Sequence, residues 1–210
     1  METEKNVKVP LVTLVLAGIN VILFLAVDLF LFRRQDEIAY VMALNPILVM
    51  QGEYWRLITS MFYHFGIDHL VCNMLMLLVL GVDLEPLFGK VRYGVLYFVS
   101  GLVADGASIL YNGFIRGEEG MFVFCAGASG AVYGLIGALA AVFFVNRKRL
   151  PAGEKKRMVF AVAFLLFGSI FDTGVGHEAH FGGFLAGVLL GILYSARRKN
   201  LTEDQWKTAE

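Results

Sequence analysis

Residues 122–145 read FVFCAGASGAVYGLIGALAAVFFV, without one charged side chain. A helix rises 1.5 Å per residue, so a run of this length crosses the hydrocarbon core of a bilayer, for which about 20 apolar residues suffice. Working outward, five more stretches of the same kind stand between polar segments, at 9–31, 61–82, 91–113, 158–175 and 177–195. The composition agrees. Of 210 residues, 58% are hydrophobic and another 23 are Gly, while 17% are charged, where a soluble domain carries about 25%. Such a chain can neither hide its apolar surface in water nor stay disordered. The sequence predicts an all-α, polytopic membrane protein: one bundle of six transmembrane helices, a single membrane domain over 1–210 with its core at about 9–195 and a tail at about 196–210.

Lys and Arg set the orientation, because they accumulate on the cytoplasmic side. With the N-terminus inside, Lys5, Lys8, Lys90, Arg92, the cluster from Arg147 to Arg157 and every cation from Arg197 onward lie inside. Of 18 Lys and Arg, Arg33, Arg34, Arg56 and Arg116 alone fall outside, which predicts N-in, C-in. The first span is long and is followed by Arg33 and Arg34 rather than a small-residue cleavage site, so it reads as a signal anchor. The basic cluster before span five sets topology, and membrane lipids are the partner it could otherwise hold. A net charge of zero gives no reason to expect nucleic acid. Cys72 and Cys125 lie in apolar runs and read as packed small hydrophobes rather than a disulfide or metal pair. The connection 32–60 is too apolar for a solvated loop; Ile47, Leu48, Val49, Met50, Tyr54 and Trp55 suggest that it lies in the outer interface.

The chemistry-bearing residues fall at one level. His64 and His69 stand near the start of span two, with Asn73 one turn on, and His177 and His180 stand near the start of span six. Even-numbered spans all enter from outside, so these residues and Ser129, in Gly127-Ala128-Ser129-Gly130, lie on the order of 10 Å below the outer surface. Ala126, Gly130, Gly134 and Gly137 in span four, and Gly183, Gly187 and Gly191 in span six, have the small-xxx-small spacing that lets membrane helices touch backbone to backbone. If those stripes meet, the Ser129 hydroxyl and the His180 imidazole come within hydrogen-bonding reach, as general-base activation of a nucleophile requires. The plainer readings are that the glycines only pack helices and that the serine bonds a preceding carbonyl. A metal or haem site is the other use of clustered histidines. Against it, His64 and His69 are five apart and would diverge on a helix, and no Cys and few carboxylates stand at that level. No cofactor and no metal is expected.

These residues together resemble a family. Gly127-Ala128-Ser129-Gly130 with Tyr133 and Gly134, and Ala179-His180-x-x-Gly183-x-x-x-Gly187, are similar to the signatures of rhomboid intramembrane serine proteases. Gly52-Glu53-Tyr54-Trp55-Arg56, the His64, His69, Asn73 pattern and Gly81-x-x-x-Glu85-x-x-x-Gly89 resemble three further motifs of the family, in order, over about residues 45–190. The resemblance implies a minimal six-helix core, without a seventh helix or a large soluble domain, that hydrolyses peptide bonds in or beside transmembrane segments of protein substrates. It makes Ser129 the nucleophile and His180 the general base, with the oxyanion held by Asn73, His69 and the backbone N–H of Ser129. Gly127, Gly130 and Tyr133 support the site, Tyr133 by packing its ring on the base. His64, Arg56 and Glu85 are structural by the same likeness, and His177 receives no role. Glu178 and Asp172 are expected at the loop surface, so no carboxylate orients His180. Span five and the turn at Gly174 to Gly176 are the expected gate. A non-catalytic rhomboid-like client-binding protein and a small-solute transporter are the competing functions. The charge split and the lack of an organelle-type presequence point to a bacterial plasma membrane, with the active site toward the outer face.

Overall fold

In hydrocarbon a backbone must satisfy its own N–H and C=O groups, which a single helix does by itself, and among the described residues five of the six apolar runs form helices. The computed structural model describes residues 9–148 and 176–196, with a few isolated positions between 153 and 163. Nine α-helices have bounds among the described residues. They are α1 (Leu11–Leu25, continued by a π turn at Ala26–Phe30), α2 (Gln35–Met42), α3 (Pro46–Met50), α4 (Arg56–Thr59), α5 (Ile67–Phe88), α6 (Lys90–Leu110, continued by a π turn at Tyr111–Ile115), α7 (Glu118–Met121), α8 (Ser129–Asn146) and α9 (His177–Ala196). Five helical segments, Leu11–Asp28, Ile67–Phe88, Lys90–Ile115, Ser129–Asn146 and His177–Ser195, are long and apolar enough to cross a membrane. The fifth expected span, 158–175, and the expected gate up to Val175 fall almost wholly outside the described residues, as does Asp172.

α8 is the most enclosed of the five, with α5, α6 and α9 packed around it, while α1 leans on α5 and α6 from outside. The core joins Leu77, Leu80 and Leu84 of α5 with Leu96 and Tyr97 of α6 and Leu135 of α8. Outward faces carry apolar stripes at helical spacing. Ile67, Val71, Leu75 and Val79 run down α5, and Phe181, Leu185 and Leu189 down α9, all exposed. A soluble monomer rarely bares such patches; in lipid they are the solvated surface. Cys72 shares the exposed face of α5, so it is a lipid-facing residue rather than the packed one its apolar neighbours suggested. Cys125 is partly buried, and both thiols are free.

Two expected boundaries move, and both movements shape the site. α5 begins at Ile67, after an extended Gly66, which leaves His64 off the helix. α8 begins at Ser129, although the sequence from 122 is equally apolar. The chain from 122 to 128 is drawn out of helix by partners far away in sequence. Leu44 and Cys125 exchange backbone hydrogen bonds of 2.8 and 2.9 Å, and the Asn45 amide donates to the carbonyls of Met121 (3.0 Å) and Val123 (3.2 Å). Asn45 also caps α3 by accepting from Leu48 N–H, and Tyr40 packs its ring on Phe124. The outer connection is thus three short helices stitched to the segment that delivers Ser129. Val49 is buried there, whereas Tyr54 and Trp55 project outward.

Candidate functional site

Ser129 opens α8 and is half-buried. Its N–H therefore has no partner within its own helix, and the helix dipole favours negative charge beside it. The preceding residues are fixed one by one. Gly127 N–H donates to Ser60 O (2.8 Å), and Ala128 N–H donates to His64 Nε2 (3.3 Å). Gly127 has φ +128°, a backbone state close to glycine's own, and a Cβ there would stand 2.8 Å from His69 Nε2. The absence of a side chain at 127 is what allows the His69 ring to lie over this turn.

His64 and His69 were expected to diverge, and they meet instead, edge to face, with ring centroids 5.1 Å apart. The reason is Gly66: only His69 is on α5, and His64 folds back from the connection before it. His64 is buried. Burial, with a smaller contribution from His69, lowers its pKa to about 4, so at neutral pH it is the uncharged acceptor that the Ala128 N–H needs. Asn73 is buried one turn below His69 and donates to the His69 carbonyl (2.9 Å). Asn20 and Asn146 make the same four-residue bond in their own helices, so this bond alone does not mark a site. A carboxamide carries two N–H donors, and this bond uses one of those of Asn73.

His180 is in the first turn of α9 and is buried. Its ring stacks on Tyr133, with centroids 3.8 Å apart and planes 12° from parallel. Tyr133 is one turn after Ser129, on the same side of α8, so the stack brings the imidazole to the helix face that carries Ser129. The glycine stripes bring the helices this close. A Cβ on Gly183 would fall on the Gly130 carbonyl, and one on Gly187 on the Gly134 carbonyl. Gly130 also meets Ala104 of α6. His177, by contrast, is exposed.

Glu178 is not at the loop surface. It is partly buried, and its Oε1 accepts from Asn112 Nδ2 (3.0 Å) and Ser108 Oγ (3.4 Å) on the outer end of α6. Asp105, one turn away from Ser108, accepts from Ser60 Oγ (3.0 Å), and Ser108 Oγ also lies 3.6 Å from Cys125 Sγ. The sequence reading missed this set, although Asp105, Ser108 and Asn112 recur at helical spacing.

The residues expected to be structural are built in as such. Arg56 is 1% exposed; its guanidinium donates to Glu53 (2.7 Å), to the Ala43 carbonyl (2.8 Å) and to the Tyr40 carbonyl. Glu85 accepts from Val12 N–H (2.9 Å), Thr13 N–H (2.8 Å) and Thr13 Oγ1 (2.8 Å). It thereby satisfies first-turn donors of α1 that the helix itself leaves orphaned.

A family model described as "Rhomboid domain" matches residues 51–197. RHOMBOID-like protein 5 of Arabidopsis thaliana is 38% identical over 156 residues, 74% of this chain and 48% of that protein. RHOMBOID-like protein 1 of the same plant is 37% identical over 155 residues, 72% of this chain and 37% of that one. Rhomboid protease GluP of Bacillus subtilis (strain 168) is 31% identical over 140 residues, covering 67% and 26%. The chain spans less than half the length of each of these relatives.

Proposed function

The chain belongs to the rhomboid family, which has named proteases among its members, and on that premise we propose that it is an intramembrane serine endopeptidase. Its substrates are transmembrane proteins, cut in or beside their membrane helices. Ser129 Oγ attacks the scissile carbonyl carbon while His180 takes its proton. The oxyanion so formed is held by Ser129 N–H, Asn73 and His69, and each such donor is worth about 2.7–4 kcal/mol of barrier elsewhere. As the intermediate collapses, His180 returns the proton to the leaving amine. Water, deprotonated by His180, then attacks the acyl ester, and His180 passes that proton to Ser129 Oγ as the ester bond breaks, which frees the acid product and restores both residues.

The observation that carries this reading is the Tyr133–His180 stack between helices joined by their glycine stripes. A stacked ring fixes the plane of the imidazole, and both nitrogens lie in that plane, directed past Tyr133 rather than at it. The Ser129 N–H at the start of α8 adds a donor where negative charge would develop. A helical substrate must unwind to offer its carbonyl, so small or helix-breaking residues belong near the cut. The Lys and Arg distribution supports an N-in, C-in orientation, which with the six spans of this reading turns the site toward the outer face of a membrane read as a bacterial plasma membrane. Relatives in Arabidopsis thaliana are a reason to look beyond bacteria as well.

The test needs no substrate. Purified protein in mild detergent is treated with a serine-reactive fluorophosphonate, and the labelled residue is located by mass spectrometry. Label on Ser129 that is lost in Ser129→Ala and His180→Ala is the expected result. Folded wild-type protein without label refutes the proposal and turns attention to client binding or transport.

A further inference from the structure

His180 is presented by the first turn of α9, and that turn is fastened sideways as well as along the helix. Glu178, two residues earlier, reaches across to α6, where Oε1 takes hydrogen bonds from Asn112 Nδ2 and Ser108 Oγ. Asn112 is itself held at both ends. Its Nδ2 also donates to the Ser108 carbonyl and hydroxyl, each at 3.1 Å, and its Oδ1 accepts from Arg116 Nη1 at 3.3 Å. Along the helix the turn is held by Ala179 N–H and His180 N–H, which donate to the Gly176 carbonyl at 3.0 and 3.2 Å. Here the three-residue chain from Arg116 through Asn112 to Glu178 ends in a carboxylate on the turn that bears the imidazole.

We propose that Glu178 is a positioning residue: by its hydrogen bonds to Asn112 and Ser108 it fixes the first turn of α9, and with it the His180 imidazole, against the outer end of α6. Its action is through His180 and not on substrate. The role rests on the protease reading above. It also differs from a third catalytic carboxylate, since Glu178 engages α6. The acceptor oxygen, rather than the charge, is the feature required, and this separates Glu178→Gln, which keeps an acceptor, from Glu178→Ala, which keeps none.

The experiment measures Ser129 labelling by a fluorophosphonate at saturating and sub-saturating concentration, together with hydrogen exchange of the amides of residues 177–182. It compares the wild type with Glu178→Ala, Glu178→Gln and Asn112→Ala. In Glu178→Ala the maximal labelling rate should fall by about tenfold to a hundredfold, the scale at which small misplacements of a reacting group act. The half-saturating concentration should hold, and exchange at 177–182 should rise. Glu178→Gln should restore most of both. Asn112→Ala should reproduce the loss, and adding it to Glu178→Ala should cost little more. Asn112→Ala also keeps the question answerable if Glu178→Ala fails to fold. Unchanged labelling and exchange in Glu178→Ala, with a labelled wild type, overturn the positioning role alone. A wild type that takes no label overturns the protease reading, and the positioning role with it.

Discussion

Replacing Gly127 with Ala probes the turn under His69 most directly, and Gly52→Ala supplies its control. Both glycines have positive φ, +128° and +103°, and an alanine in such a state costs about 1–3 kcal/mol wherever it lies. They differ in space. A Cβ at 52 meets nothing within 4 Å, whereas one at 127 stands 2.8 Å from His69 Nε2 and closer still to Cε1. The His69 ring already rests against His64, so the alanine displaces the ring, the turn, or both. Losing one oxyanion donor raises a barrier by about 2.7–4 kcal/mol, which is about a hundredfold to a thousandfold in rate. Thermal unfolding in detergent should therefore drop for both variants, while Ser129 labelling by a fluorophosphonate should collapse for Gly127→Ala and survive in Gly52→Ala. Labelling of folded Gly127→Ala at a rate close to wild type would refute the argument that this turn and His69 are set against each other.

Four further outcomes follow from the geometry. Tyr133→Phe keeps the ring over His180 and should label Ser129 at close to the wild-type rate, whereas Tyr133→Ala loses an aromatic contact of about 0.5–1.5 kcal/mol and should slow labelling severalfold. Gly187→Ala places a methyl on the Gly134 carbonyl and should lower stability against denaturing detergent by about 1–3 kcal/mol, the usual cost of overpacking. Glu85→Ala strips α1 of three hydrogen bonds to a carboxylate, each worth about 1.5–3 kcal/mol, and should make α1 the first segment cut in limited proteolysis. His64 is held neutral, with its pKa lowered from 6.5 to about 4. Its contribution is complete above about pH 6.5 and is lost as pH falls toward 4, amounting to about 3 kcal/mol. His64→Gln, which can still accept from Ala128 N–H, should flatten that part of the melting temperature against pH.

The membrane-spanning helices were legible because a hydrocarbon solvent demands long apolar runs, and the facing stripes of α8 and α9 because only small residues permit that approach. The start of α8 was not. Phe122 to Ala128 are as apolar as the helix they precede, and what draws them out of it is pairing with Leu44, Asn45, Ser60 and His64, which periodicity along one segment cannot register. The same limit applied to His64 and His69: a spacing of five predicts divergence only if both sit on the helix. Glu178 reads as a surface residue because it is charged and follows a glycine turn, yet its partners could have been found. Asp105, Ser108 and Asn112 are polar at i, i+3 and i+7 in an otherwise apolar span, a pattern with no reason to exist on a lipid-facing side.

The Tyr133–His180 stack joins a helix near the middle of the chain to the last helix described, and synthesis runs in that order. A nascent chain that has inserted α8 carries Ser129 into the bilayer without its proposed base, because His180 is still in the ribosome or the insertion machinery. The proposed nucleophile would stay inert until α9 arrives and the glycine stripes close. The cell that makes this protein would then meet no active intermediate during its biogenesis, and chains aborted before residue 177 would be harmless to their neighbours.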